Sequence, residues 1–242
     1  MVLAEIVVAH QDRAVVRIGD AYIKTETDHT KGEREHAILR SAPVPVPEVL
    51  WWRPGNPSLL ALARVSGDAL TRSAAREDWV AVGKVVRTLH EAPLPEWDPW
   101  LVPGIVRRWL DADRDWLLER GLVDAHVVEA AHAIAAEVLT DRVVAPVLTH
   151  RDLQTTHVFV DDGRVTGIID WGDVGVGDGL YDVATLTGRH PDRLDDVLAG
   201  YGDVDRDVVR AWWAERFLSE PRWEVEHGFD PTGSLDGLCS LT

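Results

Sequence analysis

The chain has 242 residues, 45% of them hydrophobic, and a formal net charge of -16. That apolar content buries one sizeable core or two lobes of one enzyme-sized unit, and the single cysteine, Cys239, excludes an intrachain disulfide and a cysteine-based metal centre. The acidity serves solubility first and would welcome a cationic ligand; with no concentrated basic patch, nucleic acid is excluded as the expected partner.

In chain order, AEIVVAH (4–10), AVVRIGD (14–20) and AYIKTET (21–27) are short and β-branched, separated by the glycine-free turn QDR (11–13) and by Gly19-Asp20. They predict a small antiparallel sheet. HTKGEREHAILR (29–40) predicts a helix, stopped by the prolines of SAPVPVPEVLWW (41–52), and SLLALARV (58–65) predicts a buried strand ended by a Ser-Gly-Asp turn. A lobe boundary is therefore expected near residues 63–67, with a first lobe over 1–65 and a second over 66–242.

Beyond it the period becomes helical. Trp79, Val82, Val86 and Leu89 form one stripe, Ile105, Trp109, Ala112 and Trp116 another, and VVEAAHAIAAEVL (127–139) and DVVRAWWAERFL (207–218) read as further helices. Most of the eleven tryptophans, among them Trp79, Trp109, Trp116 and Trp213, are expected in the core. No run approaches the ~20 apolar residues of a membrane helix, and the first residues carry no basic, apolar leader pattern, so a cytoplasmic protein is expected. The coarse result is an α+β chain of two lobes.

The densest chemistry lies in THRDLQTTHVFVDDGRVTGIIDWGD (149–173). HVFV and VTGIID flank Asp162-Gly163, a strong hairpin signal. Counting across that turn sets Val160 opposite Val165 and His157 opposite Ile168, which makes Asp170 the diagonal neighbour of His157, about 7 Å away or less. Asp152 sits five residues before His157 on the loop feeding the strand. Carboxylates gathered this way repel unless a cation or a donor intervenes, and a Mg²⁺ ion bridging to phosphate is one natural occupant.

The segment His150-Arg151-Asp152-Leu153, with His157 after it and then Ile-Ile-Asp170-Trp and Gly177-Asp178 with Asp182, resembles the aminoglycoside phosphotransferase family of small-molecule kinases; its first part also looks like the catalytic loop of protein kinases. The resemblance implies a protein-kinase-like fold, a small antiparallel N-terminal lobe that binds nucleotide and a mainly helical C-terminal lobe carrying the catalytic hairpin. It implies transfer of the γ-phosphate of ATP or GTP, with Mg²⁺, to a hydroxyl of a small molecule, most directly an aminoglycoside-type or other cationic antibiotic. Asp152 would be the catalytic base, Asp170 a metal ligand and His157 a second. Lys24, in Ala21-Tyr22-Ile23-Lys24, would neutralise phosphate charge and be braced by Glu35, with Glu33 as the alternative. Ala63 and Val65 would meet the nucleotide base through main-chain atoms. His150 would buttress the loop, and acids such as Asp178, Glu220, Glu224, Glu226 and Asp230 could line a cationic acceptor's site.

Two departures stand out: Arg151 replaces the family's usual glycine, and His157 its usual asparagine. With the missing glycine-rich loop they keep a second reading open, a nucleotide-binding pseudokinase or interaction module. Kinases of this resemblance also act on small metabolites such as amino alcohols, and a metal-dependent hydrolase would leave Lys24 and Glu35 without a role.

Overall fold

A computed structural model describes residues 4–10, 13–102 and 104–241. Strands β1 (Ala4–His10), β2 (Arg13–Ile18) and β3 (Ala21–Glu26) form an antiparallel meander. Gln11 and Asp12 of the expected QDR turn lie outside the described residues. Helix α1 (His29–Ser41) begins where the Asp28 side chain accepts from the amides of Thr30 and Lys31. It buries Gly32, Glu35, Ile38 and Leu39, three or four residues apart on one face. The prolines then release the chain into β4 (Val49–Arg53), an edge strand beside β5 (Ser58–Ala63), which gives the sheet order β1-β2-β3-β5-β4. Strand β4 is absent from the sequence-based expectation because its Val-Leu-Trp-Trp run follows three prolines without a break of its own.

The remaining elements are β6 (Asp68–Ala69), α2 (Arg76–His90), α3 (Ile105–Arg120), α4 (Ala125–Leu139), β7 (Val147–Thr149), β8 (Val158–Asp161), β9 (Arg164–Ile168), β10 (Gly175–Gly177), α5 (Gly179–Thr187), α6 (Leu194–Tyr201), α7 (Arg206–Glu226) and α8 (Thr232–Ser240). The chain forms two compact units, one of residues 1–93, 150–175 and 195–202, the other of 94–149, 176–194 and 203–242. This division does not fall at residue 65. In the first unit β6 pairs with β8, α2 lies on the β8–β9 hairpin, and the amide of Ile168 donates to the carbonyl of Pro45. Those bonds tie residues 66–93 to the hairpin, and the hairpin to the segment between α1 and β4. Trp79, Val82, Val86 and Leu89 of α2 are fully buried there.

The second unit is helical. Helix α3 buries Val106, Leu110, Trp116 and Leu117, so its apolar face is turned by about a residue from the stripe read in the sequence, and Ala112 is exposed. Trp109 and Trp213 are half-buried, while Trp79 and Trp116 are core residues.

The hairpin turn is Asp162-Gly163, both residues at positive φ (46° and 74°), the combination required by a tight turn whose twist matches that of the strands. Val160 faces Val165. The ladder then slips between Phe159 and Val160: Thr166 drops out of the pairing, its hydroxyl donates to the carbonyl of Ser66 at 2.6 Å, and Val158 rather than His157 stands opposite Ile168. His157 leaves the strand altogether and ends a single 3-10 turn, Thr155–His157. A bulge of this kind re-aims the residues beyond it.

Candidate active site

The site is built inside the first unit, and its centre is Lys24. From the fourth position of β3, between Val15 of β2 and Leu60 of β5, Lys24 runs beneath the sheet and is almost wholly buried. Its ammonium lies 2.8 and 2.7 Å from the two oxygens of Glu35 and 2.8 Å from Oδ1 of Asp170. Glu33 is exposed and lies near His29 instead. Helix phase makes that choice: Gly32 abuts Ser58 so closely that a Cβ would collide with the serine Oγ, and one turn later Glu35 is carried to the lysine.

Asp170 ends the hairpin in left-handed backbone, φ 64° and ψ 61°, a conformation that costs a non-glycine residue roughly 1–2 kcal/mol. It also receives a residue the sequence reading did not single out. Arg13, the first residue of β2, donates from both terminal nitrogens, at 2.8 Å to Oδ1 and 3.0 Å to Oδ2. Two cations thus face two carboxylates. A separation of 157 positions hides this pair from any spacing rule; the signal available was a lone arginine in a glycine-free turn.

Burial works against the charge of Lys24, yet Glu35 and Asp170 outweigh it and hold the ammonium above its ordinary value. Burial pushes the Glu35 carboxyl up while Lys24 pulls it back. For Asp170 burial is again the largest influence, but Lys24, Arg13 and His157 together overcome it and keep the carboxyl well below the usual range.

The loop before the hairpin is held by two histidines that donate from opposite ring nitrogens. His150 Nε2 is 3.0 Å from the carbonyl of Ile169, which can only accept, so Nε2 carries the proton and Nδ1 accepts from the amide of Asp152 at 3.3 Å. This ring is fully buried against Trp171, with centroids 4.5 Å apart, and it couples the Asp152 loop to the strand end that presents Asp170. In His157 it is Nδ1 that donates, at 2.7 Å to the carbonyl of Asp152, and Nε2 lies 3.9 Å from Oδ2 of Asp170. The diagonal strand placement expected for His157 is thus replaced by a turn, and the turn still brings it to Asp170. Gln154 donates to Oδ1 of Asp152 at 2.9 Å. Arg151, at φ 69°, occupies a conformation that glycine adopts without strain.

Asp152, His157 and Asp170 can each offer one ligand atom, all within 4.8 Å of one another. Two carboxylates and an imidazole lone pair form a donor set suited to a divalent cation, with nitrogen where Mg²⁺ favours oxygen. At the strand end the amide of Ala63 donates to the carbonyl of Glu48, and that of Arg64 to Asp20. The Ala63 N–H is therefore committed to the sheet. The amide of Val65 has no main-chain partner among the described residues.

The acids considered for a cationic acceptor are paired within the second unit. Glu220 accepts from Arg216 and Arg189, Glu226 from Arg222, and Glu224 lies 3.6 Å from Arg189. Asp230 accepts from Thr232, and buried Asp178 accepts from Leu180, Trp212 and Arg142. They are structural partners first.

Solved structures share this fold. An aminoglycoside phosphotransferase, APH(3'')-Id from Streptomyces rimosus, is 24% identical over 89% of this chain and 92% of its own, with a TM-score of 0.67. A choline/ethanolamine kinase family protein from Mesorhizobium loti is 17% identical over 99% and 87%, with a TM-score of 0.75. A thermostable mutant of aminoglycoside phosphotransferase APH(4)-Ia, in ternary complex with AMP-PNP and hygromycin B, is 18% identical over 98% and 92%, with a TM-score of 0.67. The α+β fold, a small antiparallel sheet followed by a helical part, is thus protein-kinase-like. The model of the phosphotransferase enzyme family (APH) matches residues 6–228, so the chain belongs to that family and is a small-molecule phosphotransferase acting on a hydroxyl group.

Proposed function

We propose that the chain transfers the γ-phosphate of ATP, with Mg²⁺, to a hydroxyl of a small cationic molecule of the aminoglycoside type, in the cytoplasm. The observation that carries this reading is the convergence of Lys24, Glu35 and Asp170 on one ammonium, with Asp152 and His157 grouped beside Asp170. ATP is chosen over GTP because a relative of the same fold was solved with an ATP analogue.

In this reading Asp152 orients the acceptor hydroxyl and takes its proton, held in place by His150 and by the bond from Gln154. Lys24 neutralises phosphate charge and keeps its position because Glu35 braces it. Asp170 and Nε2 of His157 would hold Mg²⁺, which supplies charge stabilisation across the phosphates. Ala63 and Val65 would offer main-chain contact to the base. Most of the acceleration then comes from positioning and preorganised charge. The cationic acceptor is favoured by the net charge of -16 acting as a field, since Glu220 and Glu226 of α7 already have arginine partners. An amino alcohol is the second acceptor class, favoured by the likeness to the choline/ethanolamine kinase family protein.

The test is ADP release from ATP and Mg²⁺ across a panel of aminoglycosides, choline and ethanolamine. Asp152→Asn should cut acceptor-dependent turnover by about 10²–10⁴ while keeping the thermal shift produced by AMP-PNP. Full turnover in that variant removes Asp152 as the base, and nucleotide binding without turnover on any acceptor replaces the kinase with a binding module.

A further inference from the structure

Both oxygens of Asp170 are engaged by Arg13, and Oδ1 is shared with Lys24. A carboxylate offers about four lone-pair directions, and three are in use here. A divalent ion entering between Asp152, His157 and Asp170 would meet the guanidinium at the same oxygens. Like charges at such contact distances repel strongly inside a protein, and a divalent ion doubles that repulsion. One of the two cations has to yield. Lys24 is buried and braced by Glu35. Arg13 is the first residue of β2, its side chain is 21% exposed, and its buried Nε has no acceptor among the described residues. The guanidinium stays charged at any working pH, so once displaced it requires another anion, and its planar fork matches phosphate oxygens as well as it matches a carboxylate.

We propose that Arg13 is an exchangeable phosphate-binding residue: it closes Asp170 when no nucleotide is bound, then cedes that carboxylate to the metal and takes up the triphosphate. It thereby does from the β1–β2 junction what a glycine-rich loop does with backbone amides. The inference rests on the reading of Asp170 as the metal ligand of a nucleotide site. Its signature is a pair of effects opposite in sign, which a merely structural ion pair would not produce.

The experiment uses the full chain, with free Mn²⁺ followed by electron paramagnetic resonance and AMP-PNP binding measured by calorimetry at saturating Mg²⁺. Arg13→Ala should bind Mn²⁺ alone about tenfold more tightly than wild type and AMP-PNP about tenfold more weakly, each a change of about 1.4 kcal/mol. Arg13→Lys keeps a charge but loses the fork and guards against a folding defect; it should weaken AMP-PNP binding less than the alanine does. Unchanged Mn²⁺ affinity in Arg13→Ala overturns the proposal, as does AMP-PNP affinity that is unchanged or raised. Parallel loss of both affinities with a lowered melting temperature marks a structural role and also overturns it. Wild-type protein that binds no AMP-PNP refutes the nucleotide reading itself, and the Mn²⁺ comparison still decides whether Arg13 blocks Asp170.

Discussion

Replacing Lys24 by methionine isolates the energetics of the buried cluster. The ammonium touches three carboxylate oxygens at 2.7–2.8 Å; without it Asp170 keeps both bonds from Arg13, whereas Glu35, 2% exposed, loses its only close cation among the described residues. The penalty therefore falls on Glu35. Stranding one member of a buried ion pair costs about 3–5 kcal/mol. Protonation provides an escape whose cost is about 1.4 kcal/mol per pH unit above the ordinary glutamate value of 4.5, which caps the loss near 5 kcal/mol at about pH 8 and near 1.4 kcal/mol at about pH 5.5. The sign follows from proton counting. In the variant Glu35 binds its proton more tightly folded than unfolded, so stability falls as pH rises from the unfolded value toward the raised folded one. Urea denaturation at the two pH values, with the wild-type pH dependence subtracted, should show a loss of about 3–5 kcal/mol at the higher pH and about 1 at the lower. Lys24→Met combined with Glu35→Leu should recover most of it. A loss below about 1 kcal/mol at high pH, or an equal loss at both, refutes the assignment of the penalty to an uncompensated Glu35.

Other outcomes follow from single groups. Burial pushes Asp113 up to about 6 despite Arg222 at 3.5 Å, so its contribution is present at low pH and is lost as pH rises from 3.8 to about 6; Asp113→Asn should gain at most about 3 kcal/mol above that window and nothing below it, read from melts across pH. His157→Asn exchanges a nitrogen donor for oxygen and should shift the ratio of Mn²⁺ to Mg²⁺ dissociation constants toward Mg²⁺, on the order of tenfold; an unchanged ratio removes His157 from the metal's ligands. Arg151→Gly relieves a left-handed arginine by about 1 kcal/mol and loses a similar amount to unfolded-chain entropy, so chemical denaturation should shift by less than about 0.5 kcal/mol, and a loss above 1 would mean that the arginine's contacts matter more than its backbone.

The first three strands, α1 and the hairpin were legible because their causes are local: β-branched runs, helix formers stopped by a run of prolines, and a turn whose two residues tolerate positive φ. The grouping of Asp152, Asp170 and a histidine was legible for the same reason, since a short hairpin connects them. Where tertiary bonds competed with local pattern, the pattern failed. A bulge at Thr166, drawn out by the carbonyl of Ser66, moved His157 off its expected register. Strand β4 and the phase of α3 depended on what lay alongside.

The sequence by itself determined which chemical groups this protein has and which secondary structures carry them, because propensity, turns and periodicity act within a few residues. Only the tertiary structure decided which groups meet: Glu35 rather than Glu33 at Lys24, the Ala63 amide lost to the sheet, and Arg13 across 157 positions on both oxygens of Asp170. Such pairings depend on sub-ångström packing, as where Gly32 lets α1 lie against Ser58, and no spacing rule encodes that.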